Sequence, residues 1–421
     1  MKLINLKIYS TQLFFLCLIP LALVFSRFFA DFFVVIICIL FIAKSVIEKK
    51  NYFNNIFFKI FLLFWIVISL RSLFSEDIYF SFKSSFTLIR FAILALAINY
   101  LIKSEPKSIY LLFLTVILSL LLVAIDGLYQ FFNGRNIFGF EQITAGRVSG
   151  FFKDELILGS YISRFAPIFI GAYFYCKYLK LIKKNYDLIF FIVSIFLLFV
   201  VILSGERTST VYILITVFFS LFFFSIQKKY KILITLFTIF LLIFVFIKSE
   251  RISNRYFIVF DQVGLKKLEY KKDSKIYFMS TDHHHHAIAA YKIFKENILF
   301  GSGAKMFRII CQKRYNEVSN SCATHPHNLV MQFLSETGVL GFLFYVFSLF
   351  YVLFQMVKII KKISIGAIAN NYKARFFYLV AMLISLFPIL PSGNFFNNWI
   401  GIISFLSLGM YLSTTKISSK C

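Results

Sequence analysis

The sequence predicts an all-α polytopic membrane protein of about twelve transmembrane helices, with one long periplasmic loop containing short helices between the ninth and tenth. Three observations carry this. The 421 residues are 60% hydrophobic and only 15% charged, with mean hydropathy +0.82, whereas a soluble domain is about a quarter charged. Apolar runs of roughly 17–25 residues, the length that crosses a bilayer, recur from end to end, where a barrel would show short alternating segments. The basic residues gather in every second loop, as the positive-inside rule requires.

The spans follow in order. Thr11–Arg27 and Phe28–Lys44 are separated by an abrupt break, and Lys44, Lys49 and Lys50 mark the next turn as cytoplasmic. The first span leads straight into a second, so it is expected to be a helix and not a removed signal peptide. A third span runs to about Leu70, and Glu76–Lys83 is expected outside. The fourth is Phe86–Ile102, with Lys103 and Lys107 inside. The fifth, Ile109–Ala124, opens an external loop holding Asp126, Arg135, Glu141 and Arg147. The sixth, Leu156–Tyr175, ends at the basic "KYLKLIKK". The seventh, Leu188–Leu203, turns at "SGERTST" into the eighth, which returns to "QKKYK". The ninth, Ile232–Ile247, enters the longest hydrophilic stretch. The tenth runs from His327 to about Val357 and ends at Lys358, Lys361 and Lys362. The eleventh precedes "PSGNFFNNW", and the twelfth leads to Lys416 and Lys420. This alternation places both termini in the cytoplasm and the long loop outside. No internal repeat or low-complexity linker divides the chain. It reads as one transmembrane domain, residues 1–421, with an inserted periplasmic loop at 248–326.

The formal charge of +26 does not indicate nucleic acid. The charge sits in short loops between apolar runs, and no soluble module interleaves aromatic and basic residues. Membrane lipids are the expected surroundings. Of the six cysteines, Cys311 and Cys322 share the long loop, and in an oxidising compartment they are candidates for a disulfide. Two free thiols are the alternative, because spacing does not fix bridge geometry.

All six histidines, His283–His286, His325 and His327, lie in or at the end of that loop. Three readings compete. A metal site would use His325, His327 and the "HHHH" run, but no spaced Cys/His or carboxylate framework accompanies them. A helix cap would use Thr324 or Asn328 and leave the cluster unexplained. General-base chemistry would use an imidazole at a helix end beside the membrane. Arginine supplies the second signal. Arg207 sits in a turn so short that it must face the bundle or the headgroups, with Glu206 beside it. Arg147 precedes the sixth span, and Arg251, Arg255 and Arg308 stand outside against the usual charge bias. Snorkelling is one reading. Binding of an anionic substrate by guanidinium forks is the other.

The stretch "HNLVMQFLSETGVLG" resembles the signature of the O-antigen ligase and polymerase superfamily: a histidine, then Asn, Ser or Gln, nine residues, and Gly-x-x-Gly. His327 and Asn328 begin it, Gly338 and Gly341 end it, and Glu336 lies just before the first glycine. "RVSGFFKDELILGSY", "SGERTSTVYIL" and "AIAAYKIFKENILFGSGAKMF" resemble further family segments in the same order, so the resemblance spans roughly Asp126 to Phe344. It implies a bacterial inner-membrane enzyme with its active site facing the periplasm. Such an enzyme transfers or polymerises a glycan carried on undecaprenyl diphosphate, with an acceptor glycan or glycolipid such as a lipid A core as partner. The implied chemistry is inverting and uses no metal or other cofactor. It assigns His327 as base and Arg207 as the catalytic cation. Arg147, Arg255, His325, Asn328 and Glu336 become diphosphate- or substrate-binding residues, and Gly338 and Gly341 structural ones. One departure is visible: where family members often carry arginine before the Gly-x-Gly turn, this chain has "TDHHHHAIAAYKIF". Arg255 or a protonated imidazole of His283–His286 is then the expected substitute.

Overall fold

The computed structural model describes residues 2–143, 146–262, 281–315, 322–364 and 370–415. Lys416, Lys420 and Cys421, and the loop residues at 263–280 and 316–321, lie outside the described residues. Among those described, the chain is helical with no strand. The helices are α1 (Lys2–Phe25), α2 (Arg27–Ile47), α3 (Ile56–Ser72), α4 (Ile78–Phe86), α5 (Ile89–Ser104), α6 (Ser108–Asn133), α7 (Leu158–Tyr178), α8 (Asp187–Leu203), α9 (Arg207–Phe223), α10 (Lys228–Lys248), α11 (Glu250–Gln262), α12 (Thr281–Glu296), α13 (Phe307–Arg314), α14 (Leu329–Ser364), α15 (Asn370–Ser385) and α16 (Asn398–Ser413). A helix stands at every segment read as a span, and α11 to α13 are the short helices of the inserted loop. Among the described residues, six segments are long and apolar enough to cross a membrane: Asn5–Phe25, Arg27–Ile47, Ile78–Ser104, Ser108–Asn133, Lys228–Lys248 and Leu329–Lys362.

Local chemistry sets the boundaries. The break between the first two spans is Ser26, whose extended backbone and side-chain oxygen, accepting from Phe29 N, cap α2. Glu76–Lys83 holds a helix start, because the Asp77 carboxylate accepts from Phe80 N and caps α4. The fifth span runs past Ala124 to Asn133. Asp126 and Gln130, which resemble loop residues by type, are buried inside α6 and hold the following loop. Asp126 accepts from Ile137 N and Asn136 Nδ2 at 3.0 and 3.2 Å, and Gln130 Oε1 accepts from Ser149 N and Gly150 N at 2.9 and 2.7 Å.

The centre of the bundle is α7, buried along nearly its whole length and packed against α6, α8, α9 and α15. Between helices in lipid the driving force is close packing, not escape from water. At Gly171 an added Cβ would stand 2.5 Å from the Tyr378 ring, so glycine lets α7 and α15 meet. At the opposite extreme α10 has no buried residue and presents Leu233, Leu236, Phe237 and Phe240 outward, the pattern of a lipid-facing helix.

Candidate active site

Two groups of polar residues converge on one end of the bundle. The first is built on the turn between α8 and α9. Gly205 has φ 70°, and a Cβ there would lie 2.2 Å from Gly146 O, so two turns press backbone to backbone. Val148 N donates to Ser204 O at 3.3 Å. This contact brings Arg147, distant in sequence, beside Glu206 and Arg207. Arg255 on α11 joins them by donating from Nε to Gly205 O at 3.1 Å. Arg147 lies within electrostatic reach of Glu206, Arg255 and Arg207. Arg251 takes a separate partner, donating to Gln142 Oε1.

Glu206 is buried in the midst of these cations. Its carboxylate accepts from Gly159 N at 2.6 Å, Ser160 N at 3.0 Å and Ser209 Oγ at 2.9 Å. It therefore caps α7, where the helix dipole favours negative charge. Burial nevertheless raises its pKa above the ordinary carboxyl value, against the pull of those donors and Arg147. Burial lowers the pKa of the Arg147 guanidinium, an effect that Glu206 opposes and Arg255 and Arg207 reinforce. The group carries a surplus of positive charge in a partly desolvated place, which suits an anion.

The second group is four imidazoles. His283 and His286 are three residues apart on α12 and so share one face. They stand 5.3 and 5.4 Å from His327, ring centre to ring centre, and His325 stands 4.0 Å from it. His325 Nε2 contacts Ser392 O at 2.9 Å, and its Nδ1 contacts Thr324 Oγ1 at 3.1 Å. A carbonyl only accepts, so Nε2 carries the proton and Nδ1 accepts from the threonine. His327 takes a left-handed backbone, φ 56°, and its carbonyl accepts from Ser392 N at 2.9 Å. Burial lowers the pKa of His325 to about 4 and that of His327 to about 3, with the neighbouring imidazoles adding to both shifts. Burial among the other imidazoles thus favours the neutral form of His327.

The helix therefore begins at Leu329 and not at His327. Asn328 caps it, accepting from Met331 N at 3.1 Å and donating from Nδ2 to Pro388 O at 2.9 Å. The loop "PSGNFFNNW" docks on the same helix end, with Gln332 donating to Asn394 Oδ1 at 2.9 Å and accepting from Phe395 N at 3.0 Å.

Gly338 interrupts α14 with φ 64° and ψ −166°. The Gly-x-Gly turn after α12 inserts there. Ser302 N donates to Ser335 O, Gly303 N to Glu336 O, Val339 N to Ile298 O and Leu340 N to Leu299 O, at 2.9, 2.9, 2.9 and 3.2 Å. Gly341 clears a nearer neighbour, Thr337 of its own helix. Glu336, expected to touch substrate, is 1% exposed. It accepts from Gln332 Nε2 at 2.8 Å and Phe307 N at 3.2 Å, so its carboxylate holds the start of α13. Cys311 and Cys322 are joined by a disulfide, Cα atoms 5.6 Å apart. Among the described residues, no three of His, Cys, Asp and Glu are arranged to hold a metal ion.

Residues 192–346 match the sequence model of the O-antigen ligase family. This similarity to the O-antigen ligases runs from within α8 to within α14. No curated protein matches the sequence. The apolar helices on either side of this segment make the protein a multi-pass membrane protein. The matched O-antigen ligase segment holds Arg207, Arg255, all four site histidines and the Gly-x-x-Gly. Arg147 comes from before it and Ser392 from after it. Several positioning residues gave no sequence signal. Gln332 and Asn394 look like ordinary polar residues, and the facing of His283 and His286 required knowing that α12 is a helix.

Proposed function

We propose that the chain transfers a glycan from undecaprenyl diphosphate to an acceptor sugar hydroxyl at the periplasmic face of a bacterial inner membrane, in the manner of an O-antigen ligase. The observation that carries this is His327. It is an imidazole in a left-handed turn, its carbonyl held by Ser392 N–H, and a non-glycine residue in that conformation is a mark of functional sites. Its lone pair takes the proton of the acceptor hydroxyl. The hydroxyl oxygen attacks the anomeric carbon from the face opposite the diphosphate, the carbon–oxygen bond to the diphosphate breaks, and configuration inverts. The departing diphosphate takes the electron pair. Arg207, with Arg147 and Arg255, binds it and stabilises its charge. The donor arrives activated, so a base for the nucleophile and cations for the leaving group are what the reaction asks of the protein. No step requires a metal.

His325 keeps His327 in place and neutral, Asn328 sets the helix start, and Glu336 shapes the turn opposite. The acceptor is a glycan or glycolipid, a lipid A core in the ligase case. A polymerase that extends the lipid-linked glycan would use the same residues. Deletion separates the two: lipid-linked polymer accumulates if the chain is a ligase, and single-repeat products appear if it is a polymerase. A transporter would need neither a base nor the one-sided clustering of histidine and arginine. In cells, His327→Ala and Arg207→Ala are each expected to abolish glycan attachment while the protein still inserts. Normal surface glycan in both variants would refute the reading.

A further inference from the structure

The buried part of α7 holds a charge that the scheme above leaves unused. Arg164 is 4% exposed. It lies six residues, or about 9 Å, inward from Leu158. Its guanidinium carbon sits 5.2 Å from the centre of the Tyr212 ring on α9. Nε and Nη1 are buried without a hydrogen-bond partner of good geometry, and the Tyr212 hydroxyl lies within reach of the guanidinium. Among the described residues no carboxylate forms an ion pair with it. A buried guanidinium without a counter-ion is costly, and a contact with an aromatic face offsets only part of that cost. An ionisable group kept inside a membrane protein marks a ligand or ion path by default.

Its position says which ligand. Ser160, four residues earlier and on the same face, donates its N–H to Glu206. Ser209, three residues before Tyr212, donates its hydroxyl to the same carboxylate. The Arg164–Tyr212 pair therefore lies about one helical turn below the arginine group, toward the membrane interior. On its other side the Tyr212 ring packs on Phe387 at 5.8 Å, and the next residue, Pro388, accepts from Asn328 beside His327. The pair stands between the two halves of the site, one turn further into the bundle than the arginine group, so of a diphosphate's two phosphates the inner, lipid-bearing one falls to it.

We infer that Arg164, on its Tyr212 platform, binds the lipid-side phosphate of the polyprenyl diphosphate carrier, leaving Arg147, Arg207 and Arg255 to the sugar-side phosphate. This rests on the donor reading above. The unpartnered Nε–H and Nη1 N–H groups, on two edges of one guanidinium, are donors for phosphate oxygens.

The test uses the full chain purified in detergent, with undecaprenyl phosphate and undecaprenyl diphosphate as probes, and measures binding together with unliganded Tm. Arg164→Met is expected to weaken both lipids by about tenfold to a hundredfold, because both carry the lipid-side phosphate. Its unliganded Tm should hold or rise, because an unpaired buried charge has been replaced by an apolar chain. Arg164→Lys keeps the charge without the planar guanidinium and should recover part of the affinity; it also serves if the methionine variant does not fold. Arg207→Gln should weaken the diphosphate alone. Wild-type affinity of Arg164→Met for both lipids, or a loss confined to the diphosphate, overturns this inference and leaves the donor reading standing. So does a lowered Tm with unchanged binding, the result of a purely structural brace. A wild-type protein that retains neither lipid overturns both.

Discussion

Gly338→Ala tests how the signature builds the site. The backbone at Gly338, φ 64° and ψ −166°, lies in a region that essentially only glycine enters, and a side chain there costs about 1–3 kcal/mol. The added Cβ would also stand 2.5 Å from Gly301 N and from Leu299 C and O. These are backbone atoms and cannot swing aside. Relief requires parting the Gly-x-Gly turn from α14, which breaks the four crossing hydrogen bonds at about 1 kcal/mol net each. The combined loss is on the order of 5–7 kcal/mol, much of the 5–15 kcal/mol that stabilises a typical domain. Gly134→Ala is the control. Its φ is also positive, 75°, but nothing lies within 4 Å of the new Cβ, so it should lose only about 1 kcal/mol. Thermal unfolding in detergent, with the yield of folded protein, reads both. If Gly338→Ala unfolds within about 0.5 kcal/mol of Gly134→Ala, the crossing bonds do not hold the turn and the reasoning fails.

Two further predictions concern the histidine group and the loop beside it. The pKa values of His325 and His327, about 4 and about 3, lie below the ordinary 6.5, so the unfolded chain binds more protons between those values. Stability is then full above pH 6.5 and lost as pH falls through the folded values, on the order of 2 kcal/mol per histidine between pH 7 and pH 5. Tm measured at both pH values should show a drop that the double variant His325→Gln/His327→Gln largely removes; an equal drop in that variant would contradict the assignment. The Cys311–Cys322 bridge closes a sequence separation of 11, and Cys311→Ser/Cys322→Ser should cost about 3 kcal/mol, read as a lowered Tm that reducing agent reproduces in the wild type alone.

The spans were legible because crossing lipid requires long apolar runs, and the signature was legible because its glycines and histidine are fixed by backbone geometry. What escaped was polarity facing inward. Asp126 and Gln130 look like loop residues by type, yet they continue α6 and pin the segment that carries Arg147. Arg164 was hidden inside an apolar stretch, where only the packing of α7 against α9 shows that it has no counter-ion. Glu336, a substrate-binding candidate by its place in the signature, is buried and holds the start of α13, contacts that its spacing does not encode. The grouping of Arg147 with Arg207 depends on Gly146 meeting Gly205, a contact between turns that no spacing encodes.

The most direct test of the central claim is glycan transfer by the purified chain from an undecaprenyl-diphosphate-linked glycan to a lipid A core acceptor, comparing wild type with His327→Ala and measuring donor binding in parallel. Removing a general base costs about a hundredfold to ten-thousandfold in rate. The account predicts a loss of that size with donor affinity preserved, because the base acts on the acceptor and the arginines hold the diphosphate. Undiminished turnover by His327→Ala would contradict it.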